Sequence, residues 1–309
     1  MQFRHLRYFV KIVEAGSFSR AASLIHIAQP ALSKQIAELE DEFGVTLLHR
    51  SARGITPTAA GETLYQESLK LIRQVDDLPA IVRSSQGEVQ GVVCFGMAST
   101  MAPTLTGKMM EICKATLPKV TLRFVTGDSE SLREKVSSQV IDLAIVFESA
   151  PETGFAREVL FRQRLYLASR KQGTMESSTT LAKISQLPLM LPTPTNVLRK
   201  AMERELAAAG LHAEPIAESD LFDVVLSGVE TGLGYAILPK ADFSDVPGHQ
   251  SIATVPIEPP IYLTACLITA RDKPLTRAAA AVEAQLIGFL RGQMGEPAFK
   301  GAEWVDAEP

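Results

Sequence analysis

The stretch SFSRAASLIHIAQPALSKQIAELE, Ser17 to Glu40, gathers several residue types suited to reading nucleic acid near one end of a 309-residue chain. Gln29 carries an amide able to pair with adenine. Lys34 carries an ammonium able to reach guanine O6 or N7, and the short Ser33 hydroxyl suits phosphate or base. Pro30 stands among them where a first helical turn tolerates proline. Further on, Arg50 and Arg53 are able to enter a minor groove or hold phosphates. Glu38, Glu40, Asp41 and Glu42 follow in the same run. Phosphates repel that acidic half, so contact with DNA has to come from the N-terminal end. A solvated helix pair exposes the same residue types, and spacing alone leaves both readings open.

These side chains need elements to aim them. Leu6, Phe9, Val10 and Val13 repeat at helical spacing and stop at Gly16. Ser17 then caps a short second helix holding Ala21, Ala22, Leu24 and Ile25. A third helix opens at Gln29 and Pro30 and turns Leu32, Ile36, Leu39 and Phe43 to one face until Gly44 ends it. VTLLHRSARGITPT follows as two short strands about Arg53-Gly54, a hairpin. Three helices and a hairpin make a small winged unit, residues 1–57, whose second and third helices form a helix-turn-helix with the third as reader.

Residues 58–87 continue as one long helical segment. Leu64, Ser68, Leu71, Val75, Leu78 and Val82 alternate at spacings of four and three, the seam of a coiled-coil contact. The same pattern suits an amphipathic helix packed on its own domain, and Pro79 is expected to kink the helix or end it early. Dimerisation through Leu64, Leu71, Val75, Leu78 and Val82 is the favoured reading. Beyond Gly87, VQGVVCFGM, VTLRFVTGD, DLAIVF, LYLASR, PLMLP, GYAILP and YLTACLI read as strands separated by helical stretches, an α/β domain with mainly parallel strands. The first strand ends at Met97, and Ala98, Ser99 and Thr100 precede a helix near Pro103. Either the free N–H groups and hydroxyls there bind an anion, or Ser99 and Thr100 merely cap the helix. The tail after Gly292 is expected to be loosely held.

Composition narrows the class. Hydrophobic content of 46% suits buried cores, and a formal charge of −4 with pI near 5.8 excludes a chain that is basic throughout. Residues 1–57 carry seven Lys and Arg against five Asp and Glu, +2, which leaves −6 for the remainder. Cys94, Cys113 and Cys266 lie far apart, and His5, His26, His49, His212 and His249 lack ligand spacing, so neither a metal nor a disulfide framework is expected. No cofactor is expected either. GLGYAI lacks the last Gly or Ala of a dinucleotide fingerprint, and no nucleophile elbow, Walker loop or His-Glu-x-x-His pair occurs. The N-terminal residues do not form a signal peptide and no stretch approaches about 20 apolar residues, so the expectation is a cytoplasmic protein without a membrane contact.

The combination Ala21-Ala22, Gln29-Pro30-Ala31-Leu32-Ser33, Ile36, Leu39-Glu40, Phe43-Gly44, Leu47-Leu48, Arg50, Thr56, Thr58 and Gly61 resembles the winged helix-turn-helix of the LysR-type transcriptional regulators. The resemblance runs on through the linker helix to GLGYAILP. HIAQPALS and RGITPTAAG resemble most the branch of that family containing the nitrogen assimilation control protein. The resemblance implies an α/β effector domain, residues 88–309, of two Rossmann-like lobes similar to a periplasmic binding protein. Two crossover strands join the lobes, lobe I being 88–161 with 267–309 and lobe II 162–266. Carried over by position, Ser99, Thr100, Thr126 and Phe147 form one wall of a cleft for a small, anionic effector. Pro192 and Thr193 stand opposite, with Ser219 and Asp220 beside them; Phe147 suits ordinary core equally well. The implied partners are a dyad-symmetric promoter site in double-stranded DNA, copies of the chain itself in a tetramer built as a dimer of dimers, and RNA polymerase. Transcriptional activation and repression are the implied outputs. A periplasmic-type solute-binding protein and an α/β enzyme are the alternatives, and the helix-turn-helix disfavours both.

Overall fold

The computed structural model describes residues 1–51, 54–84, 88–148, 154–171, 177–240, 242–243, 246 and 248–305. The chain divides into two units, residues 1–82 with 138–140, and 83–137 with 141–309. In the first, α1 (Phe3–Ala15), α2 (Phe18–Leu24) and α3 (Gln29–Phe43) precede the hairpin of β1 (Leu48–Ser51) and β2 (Gly54–Pro57) and the long α4 (Ala59–Ser84). Gly16 ends α1 in the left-handed region, φ 63°, where glycine carries no steric penalty. The next residue, Ser17, caps α2 by accepting from the Arg20 N–H. Phe9, Ile12, Ala21, Leu32, Ile36 and Leu39 are fully buried and bind the three helices together.

Two sequence expectations for this unit need correction. Phe43 shares the helical face of Leu39 but is 45% exposed, because it lies in the last turn, outside the apolar cluster. Leu64, expected on the dimer seam, packs with Tyr65 against the winged core. The next seam position, Ser68, is buried as well, and the exposed stripe begins two steps later, with Leu71, Val75, Leu78 and Val82 all at least 40% exposed. Pro79 does not end α4, which continues to Ser84.

The second unit carries two six-stranded sheets. Its elements are β3 (Gly91–Ala98), α5 (Ala102–Thr116), β4 (Val120–Gly127), α6 (Ser129–Ser137), β5 (Leu143–Glu148), β6 (Phe155–Arg164) and β7 (Tyr166–Arg170). They continue as β8 (Thr179–Thr180), α7 (Leu181–Ile184), β9 (Leu189–Leu191), α8 (Val197–Ala208), β10 (Pro215–Glu218) and α9 (Phe222–Glu230). The last are β11 (Tyr235–Leu238), β12 (Ile252–Glu258), β13 (Tyr262–Ala270), α10 (Arg277–Gly292) and β14 (Ala302–Trp304). The first sheet runs β14-β6-β13-β5-β3-β4 and the second β10-β9-β11-β7-β12-β8.

Strand alternation divides the side chains between two covered faces. In the first sheet Phe95, Met97, Ile145 and Leu267 join the large core with α5 and α10, whereas Ala144, Val146, Cys266 and Ile268 pack with Leu132 and Val136 of α6. In the second, Leu189 and Ile237 face one side; Met190, Ala236 and Leu238 face α9.

The sheets are mixed, not mainly parallel. β3 pairs in parallel with β4 and β5, but β13 runs antiparallel to β5 and β6. The long crossovers β6 and β13 return the chain between sheets and so reverse the local direction. Both belong wholly to the first sheet, so the break on the return crossover falls before Tyr262, not at 267; on the outward one, Arg162 to Arg164 still pair with β13. The tail is also ordered further than its composition suggests. Phe299 is buried edge-on against Phe161, and β14 pairs with β6.

Candidate DNA-reading surface and effector cleft

The reading helix is built from its buried face outward. Leu32, Ile36 and Leu39 are wholly buried, which leaves Gln29, Pro30 and Lys34 exposed and Ser33 half-buried at the N-terminal end. Ala28 occupies the N-cap without a side-chain hydrogen bond, so the first-turn N–H groups of α3 keep their capacity for phosphate. Lys34 lies 3.8 Å from Glu38, both well exposed, a surface pair too weak to hold the ammonium back.

Arg50 reaches α3 from the hairpin. Its guanidinium covers the Phe18 ring at 4.7 Å and donates to Ser33 Oγ at 3.5 Å. The side chain thus stands beside the reading helix, braced by α2. Arg53 lies outside the described residues.

Glu40 has a role that charge patterning did not reveal. Its Oε1 accepts the N–H groups of Leu47, 2.7 Å, and Leu48, 3.2 Å, and so ties α3 to the start of the hairpin. Its place in sequence, directly after the buried Leu39, is the signal that it sits at the edge of the core. Thr58 completes the joint. Its hydroxyl donates to the Thr46 carbonyl and accepts from the Gly61 N–H, while its own N–H bonds the Leu47 carbonyl.

In the second unit a cavity of about 60 Å³ opens between the sheets' ends. Ser99, Thr100, Asp128, Ser129 and Phe147 line it from the first lobe, and Pro192, Asn196, Ser219 and Asp220 from the second. The capping alternative for Ser99 and Thr100 is not realised: Met101 takes the N-cap of α5 and no side chain caps it. Thr100 Oγ1 is buried without a hydrogen-bond partner among the described residues. Phe147 is held at the wall by its N–H bond to Ser129 Oγ and by Arg133 on its carbonyl.

Two of the expected cleft residues stand elsewhere. Thr126 is exposed on the edge strand β4, and the residues after it, Gly127 and Asp128, take the wall. Thr193 is not among the lining residues; its N–H and hydroxyl both donate to Asp220. Asp220 also accepts from Asn196 Nδ2, which makes it a fixed carboxylate at the cavity. Sequence reasoning missed Asn196, whose Oδ1 caps α8, and Lys240, which is 4% exposed and donates to Thr104 Oγ1 across the lobes at 3.3 Å.

The three thiols are buried. Cys266 lies 3.3 Å from Glu148 Oε2, and burial, then the nearby carboxylate, pushes its pKa up to about 12. Burial withholds all three thiols from solvent, and at Cys266 the reactive thiolate form is disfavoured besides, so an alkylating reagent is expected to spare all three cysteines in the native protein and to label all three after denaturation. Mass spectrometry of the labelled protein checks this. Stoichiometric labelling of native Cys266 would contradict the buried, protonated thiol.

A winged helix-turn-helix followed by a two-lobed α/β domain with an interlobe cavity defines a ligand-responsive DNA-binding regulator. Residues 3–62 match the model of the bacterial regulatory helix-turn-helix protein, lysR family, and residues 86–291 that of the LysR substrate binding domain. The chain belongs to the LysR family of bacterial transcriptional regulators. It is 33% identical over 242 residues to the nitrogen assimilation regulatory protein nac of Escherichia coli (strain K12), covering 78% of this chain and 79% of that protein. Its identity to the protein of the same name from Klebsiella aerogenes is 31%, with the same coverage. The fold matches the LysR family regulator CbnR, with TM-score 0.71 at 19% identity, covering 94% of this chain and 99% of CbnR. A structure of full-length CbnR complexed with its target DNA matches at TM-score 0.68, 20% identity and the same coverage. Among the described residues no helix is long and apolar enough to cross a membrane.

Proposed function

We propose that this regulator reads DNA with the N-terminal end of α3, using Gln29, Pro30, Ser33 and Lys34 toward the major groove and Arg50 and Arg53 toward phosphates or the minor groove. The observation that carries the reading is the polarity of α3. Three wholly buried apolar residues fix its inner face, exposed Gln29 and Lys34 mark one end, and the exposed acids crowd the other. Residues 1–57, 58–87 and 88–309 serve as reader, linker and effector domain. The exposed stripe Leu71, Val75, Leu78 and Val82 supports pairing of two linker helices, which puts two readers on a dyad-symmetric site. Two such dimers make a tetramer that engages paired sites. A small molecule held at Ser99, Thr100, Phe147 and Pro192 shifts the arrangement only if it binds the two states unequally. Acting in the cytoplasm beside RNA polymerase, the protein regulates transcription and performs no catalysis.

Footprinting and titration of the operator test the reading helix. Lys34→Ala should weaken specific binding by roughly 1 to 3 kcal/mol, whereas Arg53→Ala should lower affinity on all sequences and the salt slope by about one. Unchanged affinity and protection in both variants would refute the assigned surface.

A further inference from the structure

The interlobe cavity has a charge pattern that a simple anion does not match. Asp128 and Asp220 line it, and no Lys or Arg does among the described residues. Asp220 is locked by Thr193 and Asn196. Among the described residues both hydrogen bonds that the Asp128 carboxylate accepts, from the Glu130 and Ser131 N–H groups, fall on Oδ1, leaving Oδ2 for an incoming donor. The cation lies at the other end. A second cavity, about 20 Å³, shares Thr100, Phe147 and Pro239 with the first and is lined further by Thr104 and Lys240. Thr100, whose buried hydroxyl has no partner among the described residues, therefore stands where the two cavities meet, with two carboxylates lining one and a buried ammonium lining the other.

We propose that the effector is a small zwitterion, a standard α-amino acid, with its carboxylate toward Thr100 and Lys240 and its ammonium between Asp128 and Asp220. This rests on the reading of the interlobe cavity as the effector site. A carboxylate placed at Asp128 and Asp220 meets like charge in a region of low dielectric, whereas an ammonium there gains two counter-charges. At the other end the α5 N-terminus, the Thr100 hydroxyl and Lys240 all favour negative charge. Size agrees. At roughly 10 to 15 Å³ per water-sized group, the larger cavity holds about four to six such groups, close to the heavy atoms of an amino-carboxylate head.

The test is isothermal titration of the full-length protein with the standard L-α-amino acids and, in parallel, with the 2-oxo acids of the same skeletons, which carry a carbonyl oxygen in place of the ammonium. At least one amino acid should bind, and its 2-oxo acid at least about tenfold more weakly. Asp220→Asn should shrink that preference, while Lys240→Gln should weaken both members of the pair. The preference ratio is the readout, because a variant that merely misfolds loses both ligands together. A 2-oxo acid that binds as tightly as its amino acid overturns the proposal, as does the absence of binding by every amino acid. Ser99→Trp separates the two levels. If it abolishes binding of a 2-oxo acid that matched its amino acid, the cleft stands and the zwitterion falls; if binding survives it, the cleft assignment falls as well.

Discussion

Replacing Gly61 with alanine is expected to loosen the winged unit and to remove most operator affinity. The new Cβ would lie 1.9 Å from the Leu47 carbonyl oxygen and 2.9 Å from its carbon, so backbone has to move. That carbonyl accepts the Thr58 N–H at 2.9 Å, and Gly61 itself donates to the Thr58 hydroxyl, so displacement disturbs both bonds. Overpacking costs about 1 to 3 kcal/mol and a lost hydrogen bond about 0.5 to 1.5 kcal/mol, a large share for a small unit. The strain falls where Glu40 ties α3 to the residues entering the hairpin, so Arg50 and the reading helix lose their mutual placement. Calorimetry should resolve an earlier melting step for the winged unit, and fluorescence anisotropy should report weakened operator binding. Wild-type melting and affinity in Gly61→Ala would refute this close approach.

The same joint explains what the sequence disclosed and what it withheld. Gly16, Ser17, Pro30 and Gly44 specify helix ends by local backbone chemistry, and each stands at the end read from its residue type. Leu32, Ile36 and Leu39 are set by helical period, which is local as well. Glu40 reads in sequence as one more acid because its partners lie seven and eight residues away, beyond a turn that no periodicity describes. Leu64 and Phe43 failed for a related reason. Angular position fixes which face a residue occupies, but not whether another element extends far enough to cover it.

In the effector domain the apolar strand cores were legible because both sheet faces are covered. The charges at the cavity were not. Asp128 reads locally as a polar residue near a helix start and Lys240 as a loop residue after a proline, while Asp220 is placed beside the cleft by the family resemblance alone and not by any local pattern. Only the folding of two lobes around one opening brings them to adjoining cavities. Thr126 shows the converse limit. A position carried over from a resemblance falls within one or two residues of the wall; Thr126 is still in β4 and exposed, whereas β4 ends at Gly127 and Asp128 stands in the turn that opens α6, and those two reach the wall.

Removing Glu148 is expected to be the most destabilising change in the effector domain. The carboxylate ends β5 at 2% exposure; it accepts from Arg157 Nε of β6 at 2.9 Å and lies 3.8 Å from an Arg133 nitrogen of α6. Cys266 of β13, the strand between β5 and β6, donates to the same oxygen as Arg157. Glu148 thus fastens three adjacent strands and one helix beside Phe147, a wall of the cavity. Glu148→Ala leaves cationic groups without their counter-charge, a loss of about 3 to 5 kcal/mol when a buried pair is broken. Arg157 is 25% exposed and able to regain water, which sets the expectation near the lower figure. For a domain of this size that corresponds to a fall in Tm of roughly 6 to 12 °C. Glu148→Gln keeps an acceptor for Arg157 and should fall less, so the ordering of the two variants in thermal unfolding separates lost charge from lost hydrogen bonding. Equal and small shifts in both would mean that the cluster is solvated and contributes little to holding β5, β13 and β6 together.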